Sequence, residues 1–177
     1  YICTCSRADI RSAQRAPHLH DGQEAPYPGT CRPQVGSTAR GALAQDRGGI
    51  RLHIDRIGDQ AVVEWADRWR GIQREDVRET CGDMLLGRAQ RPTYQLAVVT
   101  DDIAMGITEV VRGEDLLGST ARQLLLYRAL QAPAPSFAHH PLLVDEAGNK
   151  LSKRDASMAI EAYRATSYKP GQLLALV

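Results

Sequence analysis

No charge of either sign dominates this chain. Its 22 lysines and arginines nearly balance 21 aspartates and glutamates, leaving a formal net charge of +1 over 177 residues. That balance argues against a histone-like or polyanion-coating role, which rests on a broad basic excess. A local patch for tRNA stays open. Long hydrophobic runs are missing too. Nothing approaches the roughly 20 apolar residues needed to cross a bilayer, so no membrane partner is expected. The first residues show no basic region followed by an apolar one, so no signal peptide is expected and the protein is read as cytoplasmic. Cysteine is scarce, and four in a chain of this size do not make a disulfide framework. Internal repeats and low-complexity tracts are absent. The length suits one or two small domains with a real core. The chain opens at Tyr1 without an initiator Met, and its last residues, Gly171 to Val177, read as a helix cut short. It is therefore taken as a fragment of a longer protein, and a monomer is expected.

Two textures divide the chain. Residues 1 to about 50 are broken by Pro17, Pro26, Pro28 and Pro33 and loosened by several glycines, with one helical piece over Arg7 to Arg15. From Ile50 to Arg70 the alternation predicts two or three short strands with a turn at Gly58-Asp59. Such a segment buries little by itself, so a metal staple would help. From Asp83 onward strands and helices alternate. Asp83 to Arg88 reads as a strand. Tyr94 to Ile103 is an apolar run that periodicity assigns to neither helix nor strand. Gly106 to Arg112 reads as a buried strand. Ser119 or Thr120 caps a helix through Leu130, with Leu124, Leu125 and Ala129 inward. Phe137 to Val144 is a strand, and Ala156 to Ala165 a helix. This order implies an α/β half-domain, residues 83–177, behind a strand-containing insert, residues 1–82.

The cysteines carry the first candidate chemistry. Cys3-Thr4-Cys5 and Tyr27-Pro28-Gly29-Thr30-Cys31 bring three thiols into one loop-rich region. Structural zinc wants four ligands held tetrahedrally, so one place is open. His18, His20, Tyr27 and Cys81 are the candidates, and the chemistry of the donors alone favours a histidine. Three unconnected free thiols are the plain alternative.

The second candidate is Lys150-Leu151-Ser152-Lys153-Arg154, which follows the apolar Pro141-Leu142-Leu143-Val144 and a turn-like stretch. Two lysines three apart, with Ser152 between them, on a loop leaving a strand can grip a polyphosphate. A basic surface turn would look much the same. The third pairs Tyr94 with Arg112. A guanidinium ending an apolar strand can fork onto a carboxylate, and a phenol can meet a small polar ligand. A core tyrosine and an Arg112–Asp115 or Arg112–Asp102 ion pair would explain the same residues, and on the residues alone that structural reading is preferred. His139-His140 suggests metal less than it suggests a strand, whose neighbours point to opposite faces. One histidine is expected to pack or hydrogen-bond near a nucleotide and the other to face water. Trp65 and Trp69 are expected to pack in a core or an interface.

Taken together, Tyr94 to Leu116, Ser119 to Leu130, Phe137 to Leu143 and the Lys150-to-Arg154 loop resemble the glutamyl-tRNA synthetase family of class I aminoacyl-tRNA synthetases, in order and spacing. The loop is similar to the family's KMSKS-type signature. Cys-x-Cys followed by Tyr-x-x-x-Cys resembles the short glutamyl-Q tRNA(Asp) synthetase branch. That resemblance implies the second half of a Rossmann-like catalytic domain preceded by a zinc-stapled insert. It implies ATP-dependent activation of glutamate, with Mg²⁺ accompanying ATP, and transfer to queuosine in the anticodon of tRNA(Asp). It assigns zinc to Cys3, Cys5, Tyr27 and Cys31, against the preference for histidine. It assigns glutamate binding to Tyr94 and Arg112, ATP binding to Lys150, Ser152 and Lys153, and the catalytic charge to Lys153. The family's HIGH-type motif and first glutamate-binding arginine would lie upstream of Tyr1, so the chain alone is expected to be catalytically incompetent. Two rivals stand beside this reading. One is a fragment of an ordinary glutamyl-tRNA synthetase charging tRNA(Glu). The other is a non-catalytic zinc-stapled RNA-binding module.

Overall fold

The computed structural model describes residues 1–6, 8–10, 26–33, 48–88, 91–144 and 169–174. Two four-stranded sheets organise them. The first sheet is antiparallel throughout. It joins β1 (Ile2–Cys3), β2 (Gly49–Arg51), β5 (Leu85–Arg88) and β6 (Arg91–Pro92) in that order. The second runs β4-β3-β8-β7, from β3 (Val62–Asp67), β4 (Gly71–Asp76), β7 (Glu109–Gly113) and β8 (Ser136–His140). Here β3, β8 and β7 are parallel, and β4 closes the edge as the antiparallel arm of a hairpin. Both sheets take strands from each side of residue 83, so strand pairing runs across the boundary drawn there.

Between them lie a 3-10 stretch (Ile54–Ala61) and helices α1 (Val77–Thr80), α2 (Tyr94–Met105) and α3 (Leu117–Ala129), with α4 (Pro170–Leu174) near the end. The mixed strands and helices match the expected α/β class. The step from β7 through α3 to β8 is the parallel crossover unit, which needs a helix to bring the chain back. Helix α3 covers one face of the second sheet. Leu125 packs with Ile54, Val63, Val77 and Phe137 in one core cluster, while Leu126 and Tyr127 join Met84 and Val99 of α2 in another. Truncating the almost fully buried Leu125 to alanine would cost about 2–5 kcal/mol.

The run left open between helix and strand, Tyr94 to Ile103, is helix α2. Thr93 ties its start to β5 through Oγ1 to Leu85 O and Leu86 O, at 3.1 and 3.2 Å. Gly106 ends it in the left-handed region (φ 65°), where glycine carries no Cβ penalty.

Several expectations shift. The hairpin turn is not at Gly58-Asp59, which lies inside the 3-10 stretch, but at Arg68 to Arg70 between β3 and β4. Asp67 closes that turn by accepting from the backbone N–H of Trp69 and Arg70 at 3.1 and 3.0 Å. Trp65 and Trp69 therefore fall on different elements. Trp65 packs against the core, and Trp69, at the turn, is 59% exposed. Neither Ser119 nor Thr120 caps α3. A short 3-10 turn (Glu114–Leu116) starts the helix earlier, and both hydroxyls are buried within it. Ala129 is exposed at the helix end, and Leu126 and Tyr127 take the inward places. Strand β7 is an edge strand with Val111 exposed rather than a buried one. Strand β8 stops at His140 because Pro141 has no N–H to give a ladder. Only residues 8–10 of the N-terminal helical piece are described, and they are helical. The helix expected over Ala156 to Ala165 and the lysine loop lie outside the described residues.

Candidate active site and metal centre

Three parallel strands deliver the first cluster. Arg112, His139 and Asp67 stand at or next to the carboxyl ends of β7, β8 and β3, with Arg112 opposite His139 in the ladder. Open α/β sheets bind their ligands at this edge. Arg112 Nε donates to His139 Nε2 at 2.9 Å. Its Nη1 donates to Gln123 Oε1 at 2.9 Å. Its Nη2 donates to Thr120 Oγ1 at 2.9 Å and to Leu116 O at 3.3 Å. These are neutral acceptors on α3, the 3-10 turn before it and β8, not the Asp115 or Asp102 carboxylates of the ion-pair reading. Four of the five guanidinium N–H groups are used in these bonds, and the charge itself is not matched by them. Burial pulls Arg112 below the usual arginine range, while the charges of Tyr94, Asp102, Asp67 and Asp115 act the other way.

The network continues on both sides. Gln123 Nε2 donates to Gln95 Oε1 at 2.8 Å, and Gln95 Nε2 to Ser119 Oγ at 2.9 Å, which ties α2 to α3. Tyr94, beside Gln95 in the first turn of α2, is 56% exposed. His139 and Asp67 are buried side chains in direct contact through His139 Nδ1 and Asp67 Oδ2. Asp67 Oδ1 also accepts from the His139 backbone N–H at 3.2 Å. Burial would raise the Asp67 carboxyl, but its bonds from His139, Trp69 and Arg70 hold it below the usual carboxylate range. His140 is exposed, as one member of the pair was expected to be. Asp67, Thr120, Gln95 and Gln123 escaped the sequence reading as site residues. Gln95 stood beside Tyr94 in the quoted motif, but nothing in sequence links Asp67 to residues about seventy positions away.

The second cluster holds the cysteines. Cys3, Cys5 and Cys31 place their sulfurs within 4.8 Å of one another, a group that could hold a metal ion. Cys5 and Cys31 are 3.3 Å apart. The Tyr27 Oη lies 3.3 Å from Cys3 Sγ and 3.8 Å from Cys5 Sγ. Three soft sulfurs with a phenol oxygen beside them are a donor set that could hold Zn²⁺. Cys81 stays outside this group and packs into the core. His18 and His20 lie outside the described residues. Burial pushes the Cys5 thiol up to about 11, with its bond to Cys31 adding to the rise. Burial raises Cys31 as well, but bonds from Cys5, the Thr4 backbone and Tyr27 outweigh it and bring Cys31 down to about 7.

Tyr27 is placed from four sides. Its N–H donates to Cys81 O at 2.9 Å, and its Oη accepts from the Cys31 N–H at 2.9 Å. The Arg51 guanidinium covers its ring at 3.7 Å. Gly82 lies against its backbone at φ +65°, where a Cβ would sit 2.5 Å from Tyr27 O. A side chain at position 82 would therefore push the tyrosine out of place. Behind the cluster, the fully buried Asp83 gathers Arg32 Nε and Nη2 (2.6 and 3.0 Å), Ile54 N (2.9 Å) and the Tyr1 hydroxyl.

Comparison with known proteins bears on the family of the chain. The family described as "tRNA synthetases class I (E and Q), catalytic domain" matches residues 1–177. The chain belongs to this class I synthetase family. Members similar to it include a protein of Leptothrix cholodnii named glutamyl-Q tRNA(Asp) synthetase, 48% identical over 164 residues, covering 90% of this chain and 53% of the relative. A Geobacter sulfurreducens protein of the same name is 43% identical, covering 98% and 52%. One from Nocardia farcinica is 39% identical, covering 100% and 54%. The chain thus spans about half the length of the curated relatives it matches. Among solved structures, a glutamate tRNA ligase from Elizabethkingia meningosepticum, in complex with its amino acid, superposes with a TM-score of 0.54 at 37% identity. That match covers 61% of this chain and 21% of the other. As a class I synthetase catalytic domain, the chain fits the α/β architecture read from its sequence. No helix among the described residues is long and apolar enough to cross a membrane.

Proposed function

We propose that the protein carrying this chain activates glutamate with ATP and transfers it to the queuosine base of tRNA(Asp). The observation that carries this is the 39–48% identity, over nearly the whole chain, to proteins named glutamyl-Q tRNA(Asp) synthetase. The geometry of Arg112 supports it. A half-buried guanidinium, bonded to neutral partners at the ligand-binding edge of a parallel sheet, keeps its charge for a carboxylate. Arg112 and Tyr94 are then the glutamate-binding residues. Lys150, Ser152 and Lys153 hold the ATP phosphates with Mg²⁺, and Lys153 stabilises the charge of the transition state. The glutamate α-carboxylate attacks the ATP α-phosphate in line, and pyrophosphate leaves. One well-placed electrostatic donor is worth roughly 3–4 kcal/mol in such a step. The glutamyl group then passes from the adenylate to the base, and AMP leaves. Cys3, Cys5, Cys31 and Tyr27 would hold a structural Zn²⁺ that braces β1 against the loop carrying Tyr27. The protein works in the cytoplasm as a monomer, on residues 1–82 as a zinc-bearing insert and 83–177 as the catalytic half-domain.

A second reading is favoured by the likeness to a glutamate tRNA ligase, namely charging of tRNA(Glu). Charging assays with labelled glutamate separate the two. The expected result is loading of tRNA(Asp) that carries queuosine, none without queuosine, and none of tRNA(Glu). Stable loading of tRNA(Glu) would replace the first reading with the second. Binding of tRNA with no glutamate-dependent ATP–pyrophosphate exchange would reject both in favour of an RNA-binding module.

A further inference from the structure

Arg112 Nε–H can only donate, so His139 Nε2, 2.9 Å away, accepts from it, and the Thr120 hydroxyl, 3.3 Å from the same nitrogen, can add a second donor. The proton of the ring then sits on Nδ1 and is given to Asp67 Oδ2. Asp67 cannot turn its other oxygen to this task. Oδ1 is occupied by three backbone N–H groups, those of Trp69, Arg70 and His139. The order of donors and acceptors along Asp67, His139 and Arg112 is therefore fixed in one direction. All three residues sit at the carboxyl ends of parallel strands, and His139 and Asp67 are withdrawn from solvent.

We infer that Asp67 locks the tautomer of His139, and that His139 in that tautomer aims the Arg112 guanidinium at the substrate carboxylate. Asp67 and His139 are thus positioning residues for amino-acid binding, acting through Arg112 and not touching the substrate. The inference rests on the glutamate-binding role proposed for Arg112. It assigns a job to the histidine pair's buried member that differs from the packing or nucleotide contact expected of it. It also explains a buried carboxylate, whose desolvation needs compensation, beside an arginine it does not contact.

Two pairs of substitutions test it in the full-length protein, read by glutamate-dependent ATP–pyrophosphate exchange. His139→Gln keeps an acceptor near the place of Nε2 and loses the contact to Asp67. His139→Asn keeps a donor near the place of Nδ1 and loses the contact to Arg112. A positioning role predicts that His139→Asn raises KM for glutamate about tenfold or more, as for loss of a charged hydrogen bond, with KM for ATP and kcat little changed, while His139→Gln is milder. A merely structural link between β8 and β3 predicts the reverse order, and that result would overturn the inference.

Asp67→Asn is the second test. Its Oδ1 stays with the three backbone N–H groups, so its amide faces His139 Nδ1 and forces the proton onto Nε2, against Arg112. The expected result is the same rise in KM for glutamate with the fold intact by thermal unfolding. Long-range ¹H–¹⁵N spectra should show the Nδ1–H tautomer in the wild type and the Nε2–H tautomer in Asp67→Asn. A wild-type Nε2–H tautomer would overturn the inference whatever the variants do. Arg112→Ala separates the two levels. If it leaves KM for glutamate unchanged, the reading of Arg112 fails. If it raises KM while Asp67→Asn and His139→Asn do not, only the positioning role fails.

Discussion

Arg51 lays its guanidinium 3.7 Å above the ring of Tyr27 while its Nη1 donates to Asp83 O at 2.7 Å. The strand that carries Arg51, β2, also pairs with the Cys3 strand, so one side chain braces the phenol against the sheet that holds the first thiol. A cation over a desolvated aromatic face is worth about 2 kcal/mol. Arg51→Met keeps much of the volume and removes the cation. The variant should fold but release zinc faster to a chelator than the wild type. Equal release rates, followed with a colorimetric zinc indicator, would show that Arg51 serves the fold alone.

The thiol cluster itself predicts about one zinc per chain, with Zn–S near 2.3 Å. Elemental analysis of protein purified without added metal should give that stoichiometry, and X-ray absorption should show mostly sulfur neighbours. Tyr27→Phe should weaken zinc retention while keeping the ring under Arg51, since only the oxygen is lost. Less than a third of an equivalent in the wild type would reject the site. Unchanged retention in Tyr27→Phe would move the fourth ligand to His18, His20 or water.

Asp83 predicts an acid limb of stability. Burial would raise its carboxyl, but bonds from Arg32, Tyr1 and the Ile54 N–H hold it below the usual carboxylate range. A depressed folded pKa means that its stabilisation is fully present above the unfolded value, about 3.9, and is lost as pH falls through the lower folded value. Asp67 is depressed as well and adds in the same window. Asp83→Asn should therefore lose stability at neutral pH, on the order of 3 kcal/mol, the low end for one partner of a buried pair because Arg32 keeps some solvent contact. The difference from wild type should shrink as the pH is lowered below about 4. Denaturant unfolding at several pH values measures this, and a difference independent of pH would contradict it.

Lys153→Ala bears on the proposed chemistry. In the full-length protein it should cut the rate of glutamate-dependent ATP–pyrophosphate exchange by roughly 10²–10³, as for a group acting on transition-state charge. Filter-binding affinity for tRNA(Asp) should change little. A matching loss of tRNA affinity with normal exchange would make the lysine loop an RNA contact instead.

The sequence by itself determined the family. Tyr94, Arg112, the Cys-x-Cys pair and the lysine loop are each short-range patterns, and residue types at fixed spacing survive without a fold. Alternating strands and helices likewise marked the α/β class from local periodicity. The tertiary structure decided what periodicity leaves degenerate. Whether Tyr94 to Ile103 coils or extends depended on Thr93 anchoring its start to β5 and on an apolar surface formed by Met84 and Tyr127. Ser119 and Thr120 looked like caps because hydroxyls often are. They are buried because Gln95 and Arg112, from other elements, need acceptors there. Asp67 carried no role in the sequence until the parallel pairing of β3 with β8 brought it to His139. Such long-range partners leave no trace in spacing, since a hydrogen bond between residues 67 and 139 constrains neither one's neighbours in sequence.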